Sequence, residues 1–147
     1  MKDGAIMSIL DLERFVSAQE HCYDRALEEI KNGRKESHWM WFVFPQIIGL
    51  GMSDTSIFYS ISDIGEAKLY LDHEVLGHRL VEITKELLEL ETDDPVDVFG
   101  GIDAIKLNSC MTLFDYVSDE ETVFSEVIDK FYDGQKDEKT LQLIKKQ

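Results

Sequence analysis

The sequence predicts an all-α fold: a single globular domain of about seven or eight short to medium helices around a central aromatic helix. Three observations carry this. Apolar residues recur at steps of three and four along most of the chain, as in Leu107, Cys110, Met111, Phe114 and Val117. Helix-starting residues stand ahead of those runs, at Asp11, Ser53 or Asp54, Asp63, Asp94 and Asp137. No convincing set of alternating strands, no internal repeat and no dividing linker interrupts them. A chain of 147 residues suits one domain, able to bury roughly 68–70% of its unfolded surface. Its 44% apolar and 31% charged residues argue against global disorder.

Residues 1–10 read as a loose leader, with Met7 an alternative start, and residues 11–147 as the domain. Asp11 caps a helix over about 12–32, whose stripe runs through Leu12, Phe15, Val16, Cys22, Tyr23, Ala26, Leu27 and Ile30. Gly33 stops it, with Lys31 and Arg34 near the negative end of its dipole. Gln19 falls within the stripe, as a core amide or a site residue. Ser53 or Asp54 starts a short helix through Tyr59, and Asp63 another over 64–72. A longer helix covers about 74–91, with Glu82, Glu86, Glu89 and Glu91 on a solvated face. Asp94-Pro95 is an N-cap followed by proline at the first helical position, and the helix it opens is cut short by Gly100 and Gly101. Helices over 102–117, over 122–132, and after Asp137 complete the chain.

The stretch 37–51 is the densest signal. Both tryptophans stand there, with Phe42, Phe44, Pro45, Gly49 and Gly51. Ser37 is placed to cap about two helical turns over 38–44, and Pro45 ends them. A short strand is the competing reading, since so short an apolar run has no decisive period. Either way the run is expected to be mostly buried, where losing a Trp or Phe side chain costs about 3–5 kcal/mol. One open edge would make it a pocket wall, with Trp39 as a stacking face and His38 and Gln46 at the rim.

Charge narrows the function classes. The net charge is −15, with residues 1–51 contributing −2 and residues 52–147 contributing −13. So acidic a surface repels phosphate backbones, which disfavours DNA or RNA as partners. It leaves room for a small anionic ligand near the first third, which holds Arg14, Arg25, Arg34 and Lys35. No apolar run approaches the roughly 18 residues needed to span a membrane, and no secretory signal is visible. A cytoplasmic location with Cys22 and Cys110 as buried free thiols is the simplest expectation.

Motifs for metals and cofactors are missing. His73 and His78 flank a Glu-containing segment that resembles a zinc-protease helix, but their separation of five turns the second ring away by about 140°. There is no nucleophile elbow, Walker loop or dinucleotide fingerprint, so no cofactor is implied. Lys106 interrupts an apolar face beside Ser109. Either it reaches out to water, or its ammonium holds a phosphate or carboxylate near the 37–51 block.

Several blocks together resemble a known family. They are Leu12-Glu13-Arg14-Phe15 with Gln19, Gly33-Arg34-Lys35 followed by Ser37 through Gln46, and Gly49-Leu50-Gly51. Leu76-Gly77 with Arg79-Leu80, and Lys106-Leu107 with Ser109 and Met111 through Phe114, extend the match over about 12–144. The sequence is identified as a member of the bacterial family called domain of unknown function 1810, some members of which carry the label calpastatin. It departs from the family pattern at Glu74, where proline is usual, and at Asn108 and Cys110, where a basic residue and a serine are usual. The resemblance implies an all-α globular fold and no established activity.

Two functions compete at this level. One is a binder of, or enzyme acting on, a small anionic, nucleotide-like ligand between the 37–51 block and the 102–117 helix. Its ligand-binding candidates are Trp39, Gln46, Arg14, Gln19, Arg34, Lys106 and Ser109, and His38 is the acid–base candidate because its unperturbed pKa is nearest neutrality. The other is an acidic interaction or regulatory module that engages a basic protein through residues 52–147.

Overall fold

Four of the six predicted caps organise the chain, whereas Asp11 caps nothing, Leu12 standing at the N-cap of the first helix without a side-chain bond. In the computed structural model, which describes residues 11–120 and 122–147, Ser53 Oγ accepts the Ser56 N–H and Asp63 accepts that of Glu66. Asp94 accepts the Val96 N–H and Asp137 that of Thr140. Each satisfies a donor that has no partner within its own helix. The described residues form nine helices and no strand: α1 (Glu13–Glu20), α2 (Tyr23–Lys31), α3 (Met40–Val43), α4 (Asp54–Phe58), α5 (Ile64–Asp72), α6 (Leu76–Leu88), α7 (Pro95–Val117), α8 (Val123–Tyr132) and α9 (Glu138–Lys145). The expected leader, 1–10, lies outside the described residues.

Four local expectations change. The helix expected over 12–32 is two, broken at His21 and Cys22, where Cys22 N–H bonds Gln19 C=O in a tightened turn. Phe15, Gln19, Tyr23, Ala26 and Ile30 keep helical spacing across the break, so sequence periodicity does not register it. α3 is one turn rather than two, and Ser37 does not cap it, because its hydroxyl donates to Glu29. α6 begins later than expected, at Leu76. The His73 ring turns the chain there, its Nδ1 accepting the N–H groups of Val75 and Leu76. α7 bends at Gly100, whose φ of 77° and ψ of 177° lie in a region essentially restricted to glycine. The short helix after Pro95 therefore passes directly into the long one.

The core is built on α7. Leu107, Cys110, Met111, Leu113 and Phe114 are fully buried, with α5, α8 and α9 packed around them. An aromatic chain crosses the molecule from Phe15 to Tyr70 (5.2 Å, edge-on), Tyr70 to Phe114 (5.3 Å) and Phe114 to Phe124 (5.9 Å). These rings tie α1, α5, α7 and α8 together, and each pair contributes about 0.5–1.5 kcal/mol beyond area burial. Burial pushes the Cys110 thiol well above its ordinary pKa, so it is an inert core group. Cys22 is half-buried, and both thiols are free.

The aromatic segment enters this core through Glu29. One carboxylate oxygen accepts the N–H groups of Glu36 (2.7 Å) and Ser37 (2.9 Å) and the Trp39 indole N–H (2.9 Å), and the other accepts the Ser37 hydroxyl (2.6 Å). After α3 the chain runs extended. Ile61 N–H donates to Gln46 C=O and Ile48 N–H to Ile61 C=O, both at 2.8 Å, forming an isolated parallel bridge between Ile47 and Ile61. That bridge fixes the backbone on either side of Ile47, and with it the carbonyl of Gln46.

Two predictions follow from this packing. A Cβ at Gly77 would stand 2.0 Å from the Leu71 carbonyl oxygen, an obstacle in backbone and not in a flexible side chain. Gly77→Ala is expected to lose about 3 kcal/mol or more and roughly 10 °C in Tm. Gly101→Ala, in open helical space, should be neutral or gain about 0.5–1 kcal/mol. Differential scanning calorimetry checks both, and an unchanged Tm for Gly77→Ala counts against the packing described. The second concerns Glu29. Burial alone would raise its pKa, but the bonds from Ser37, Glu36 and Trp39 outweigh it and hold the carboxyl at about 2, below its ordinary 4.5. A lowered folded-state pKa contributes stability above about pH 4.5, and that stability is lost as pH falls through about 2. The contribution is about 3 kcal/mol. Urea titrations from pH 6 to pH 2 should show the advantage of the wild type over Glu29→Gln shrinking across that window. A pH-independent gap rules this role out.

Candidate functional site

A cleft of about 270 Å³ opens between the 41–51 segment and the first turns of the long arm of α7. Trp41, Leu50, Ile102 and Ile105 form its apolar side, and Gln46, Lys106, Ser109, Asp137 and Lys139 its polar side. Ile102 and Ile105 are 73% and 66% exposed, so the apolar lip faces solvent. Gly51 permits the close turn behind Trp41. A Cβ there would lie 2.5 Å from Ser56 Oγ and 3.5 Å from the indole ring.

The cleft's charge is balanced by a short relay. The Lys106 ammonium stands 3.9 Å from the Trp41 ring centroid, a cation–π contact, and 3.2 Å from Asp103. The other Asp103 oxygen pairs with Lys35 at 3.0 Å, and Lys35 also donates to Ser37 C=O. One carboxylate is thus divided between two ammonium groups. Across the cleft, Asp137 accepts from the Thr140 N–H and hydroxyl and from Ser109 Oγ, while its own N–H donates to Thr112. Gln46 is different. It is 7% exposed, and its Nε2 has no hydrogen-bond partner. An orphaned buried N–H costs about 1–3 kcal/mol, an uncommon arrangement in folded proteins.

Three candidates from the sequence, Gln46, Lys106 and Ser109, meet in this cleft. The rest lie elsewhere. Trp39 offers no stacking face, being 1% exposed with its indole N–H bonded to Glu29. Arg14 is consumed by structure: it donates to the carbonyls of Asp11, Phe58 and Ser60 and pairs with buried Glu66. Gln19 is a core amide, donating to Phe42 C=O at 2.7 Å and Tyr70 Oη at 3.0 Å and accepting from Arg79. Arg34 and His38 are exposed and do not line the cleft. Sequence reasoning did not single out Trp41, Asp137 and Lys139, which also line the cleft. Asp137 carries a cap signal that masks any second role, and Lys139 stands in a polar run without distinguishing pattern.

Among the described residues, no group of three or more His, Cys, Asp or Glu side chains is placed to hold a metal ion. No helix there is long and apolar enough to cross a membrane. Comparison with solved structures finds the conserved hypothetical protein Rv1873 from Mycobacterium tuberculosis, determined at 1.38 Å. It is 43% identical to this chain, with 92% of this chain and 96% of that one covered and a TM-score of 0.90. No curated protein matches. Residues 9–144 match the family described as protein of unknown function (DUF1810), and the chain belongs to that family.

Proposed function

We propose that the cleft between the 41–51 segment and α7 binds a small anionic ligand with a planar, nucleotide-like ring. The carrying observation is the Lys106 ammonium held over Trp41 at the mouth of an apolar cleft. The cleft wall holds Lys106 and Lys139 against Asp137, and behind it Lys35 pairs with Asp103, so these side chains sum to a positive charge in a chain of net charge −15. An arriving phosphate or carboxylate competes for Lys106 with Asp103, a carboxylate that Lys106 already shares with Lys35. The ligand ring lies against Trp41, Leu50, Ile102 and Ile105. The volume suits a mononucleotide-sized compound and not a nucleic acid strand. No catalytic step is assigned to any residue.

Thermal-shift and tryptophan-fluorescence titration with nucleoside monophosphates, sugar phosphates and aromatic carboxylates tests this. Trp39 is sealed in the core, so the fluorescence change should vanish in Trp41→Phe and persist in Trp39→Phe. A charge-assisted contact is worth about 1.5–3 kcal/mol, so Lys106→Ala should weaken binding about tenfold or more. Arg34→Ala and His38→Ala should leave binding unchanged. No response across the panel, or equal losses in Arg34→Ala and Lys106→Ala, overturns the proposal.

A further inference from the structure

We infer that Gln46 is the specificity-determining residue of this cleft and that the ligand is a nucleoside monophosphate whose base edge it reads. The inference rests on the reading of the cleft as a site for a planar anion, and extends it from charge and shape to a particular functional group. The Gln46 Nε2 is buried without an acceptor, and among the described residues no hydrogen bond to the side-chain amide is formed. Rotating the terminal amide therefore sacrifices no Nε2 bond. The backbone beneath it does not rotate, because Ile61 N–H holds Gln46 C=O and Ile48 N–H bonds Ile61 C=O. Gln46 also lines a second, smaller space of about 10 Å³, room for about one water and too small for any organic group. Of the two spaces it borders, only the cleft admits a ligand.

A primary amide presents a donor and an acceptor side by side. Its complement is a planar group with an acceptor beside a donor, the pattern of a nucleobase edge. Trp41 and Leu50 border the same cleft, so a base at Gln46 packs against apolar surface, while Lys106 and Lys139 supply charge for a phosphate. A flat anion without a hydrogen-bonding edge would leave Nε2 unpaired, and sites with buried polar groups reject such analogues strongly.

Isothermal titration with three classes of probe separates the contributions. Uridine, adenosine, inosine and cytidine monophosphates carry a phosphate and an edge; phenyl phosphate carries a phosphate and a flat ring without one; ribose 5-phosphate carries no ring. The wild type should bind at least one nucleoside monophosphate about tenfold or more tightly than phenyl phosphate. Gln46→Met, close in shape and without an amide, should erase that preference and leave phenyl phosphate affinity within about twofold. If Gln46→Met does not fold, Gln46→Leu takes its place, and the wild-type ranking of the probes still tests the inference. Equal binding of nucleotides and phenyl phosphate by the wild type, or a preference that survives loss of the amide, overturns the role of Gln46 and leaves the planar-anion reading standing. Binding by none of the probes overturns both.

Discussion

A carboxylate in the last turn of a helix is unfavourable taken alone, since the dipole is negative there and burial strips its water. Glu29 occupies that position in α2 and is 7% exposed. It is retained there by four hydrogen bonds from residues 36, 37 and 39. Its backbone carbonyl accepts the Arg34 N–H, closing α2 at Gly33, so the same residue ends the helix and folds the following loop back onto it. Trp39 is placed as a consequence. α3 then starts at Met40, and the Phe42 carbonyl meets Gln19. Removing the Glu29 charge would leave three N–H donors competing for a weaker acceptor, so the effect reaches well beyond one contact.

Much of the fold was legible because local chemistry and tertiary packing agree. Ser53, Asp63, Asp94 and Asp137 have the side chains that caps require, and each caps as its type suggests. Gly100 marked a boundary, and the chain turns there through a conformation closed to other residues. The failures share a cause. Ser37 has the chemistry of a cap, but its hydroxyl serves Glu29, eight residues earlier. The break at His21 and Cys22 preserves helical spacing, so only the packing of α1 against α3 and α2 against α6 reveals it. Such choices depend on which residues meet across the fold, which one sequence does not state.

The candidate site was legible in part for the same reason. A polar residue in an apolar stripe signals unusual chemistry without saying whether protein or ligand answers it. Arg14 and Gln19 are answered by backbone carbonyls, Glu66 and Tyr70. Gln46 has the same kind of sequence context, and nothing in the fold answers its Nε2. The two tryptophans are separated by a single residue and have opposite fates. The indole N–H of Trp39 is claimed by Glu29, which draws it inward, whereas Trp41 borders the cleft beneath Lys106. The aromatic density of the block marked the segment that borders the candidate cleft, but which of its two rings faces that cleft was decided by an acidic residue ten positions before Trp39.

That acidic residue is also connected to the charge of the cleft. Ser37 bonds Glu29 through its hydroxyl and N–H and holds Lys35 through its carbonyl. Lys35 N–H donates to Val98 C=O, and its ammonium shares Asp103 with Lys106. Lys106 in turn stands over Trp41. A lysine on an exposed helix would spread over many rotamers, at a side-chain entropy cost of up to about 2 kcal/mol when fixed. Here the competing attractions of Asp103 and the Trp41 ring fix it beforehand, so the anion of the proposed ligand would meet a cation already positioned. Full neutralisation by a private carboxylate would cancel that advantage. Because Asp103 is divided between two ammonium groups, Lys106 is ordered without being silenced, and the loop folded by Glu29 is what brings the second ammonium there.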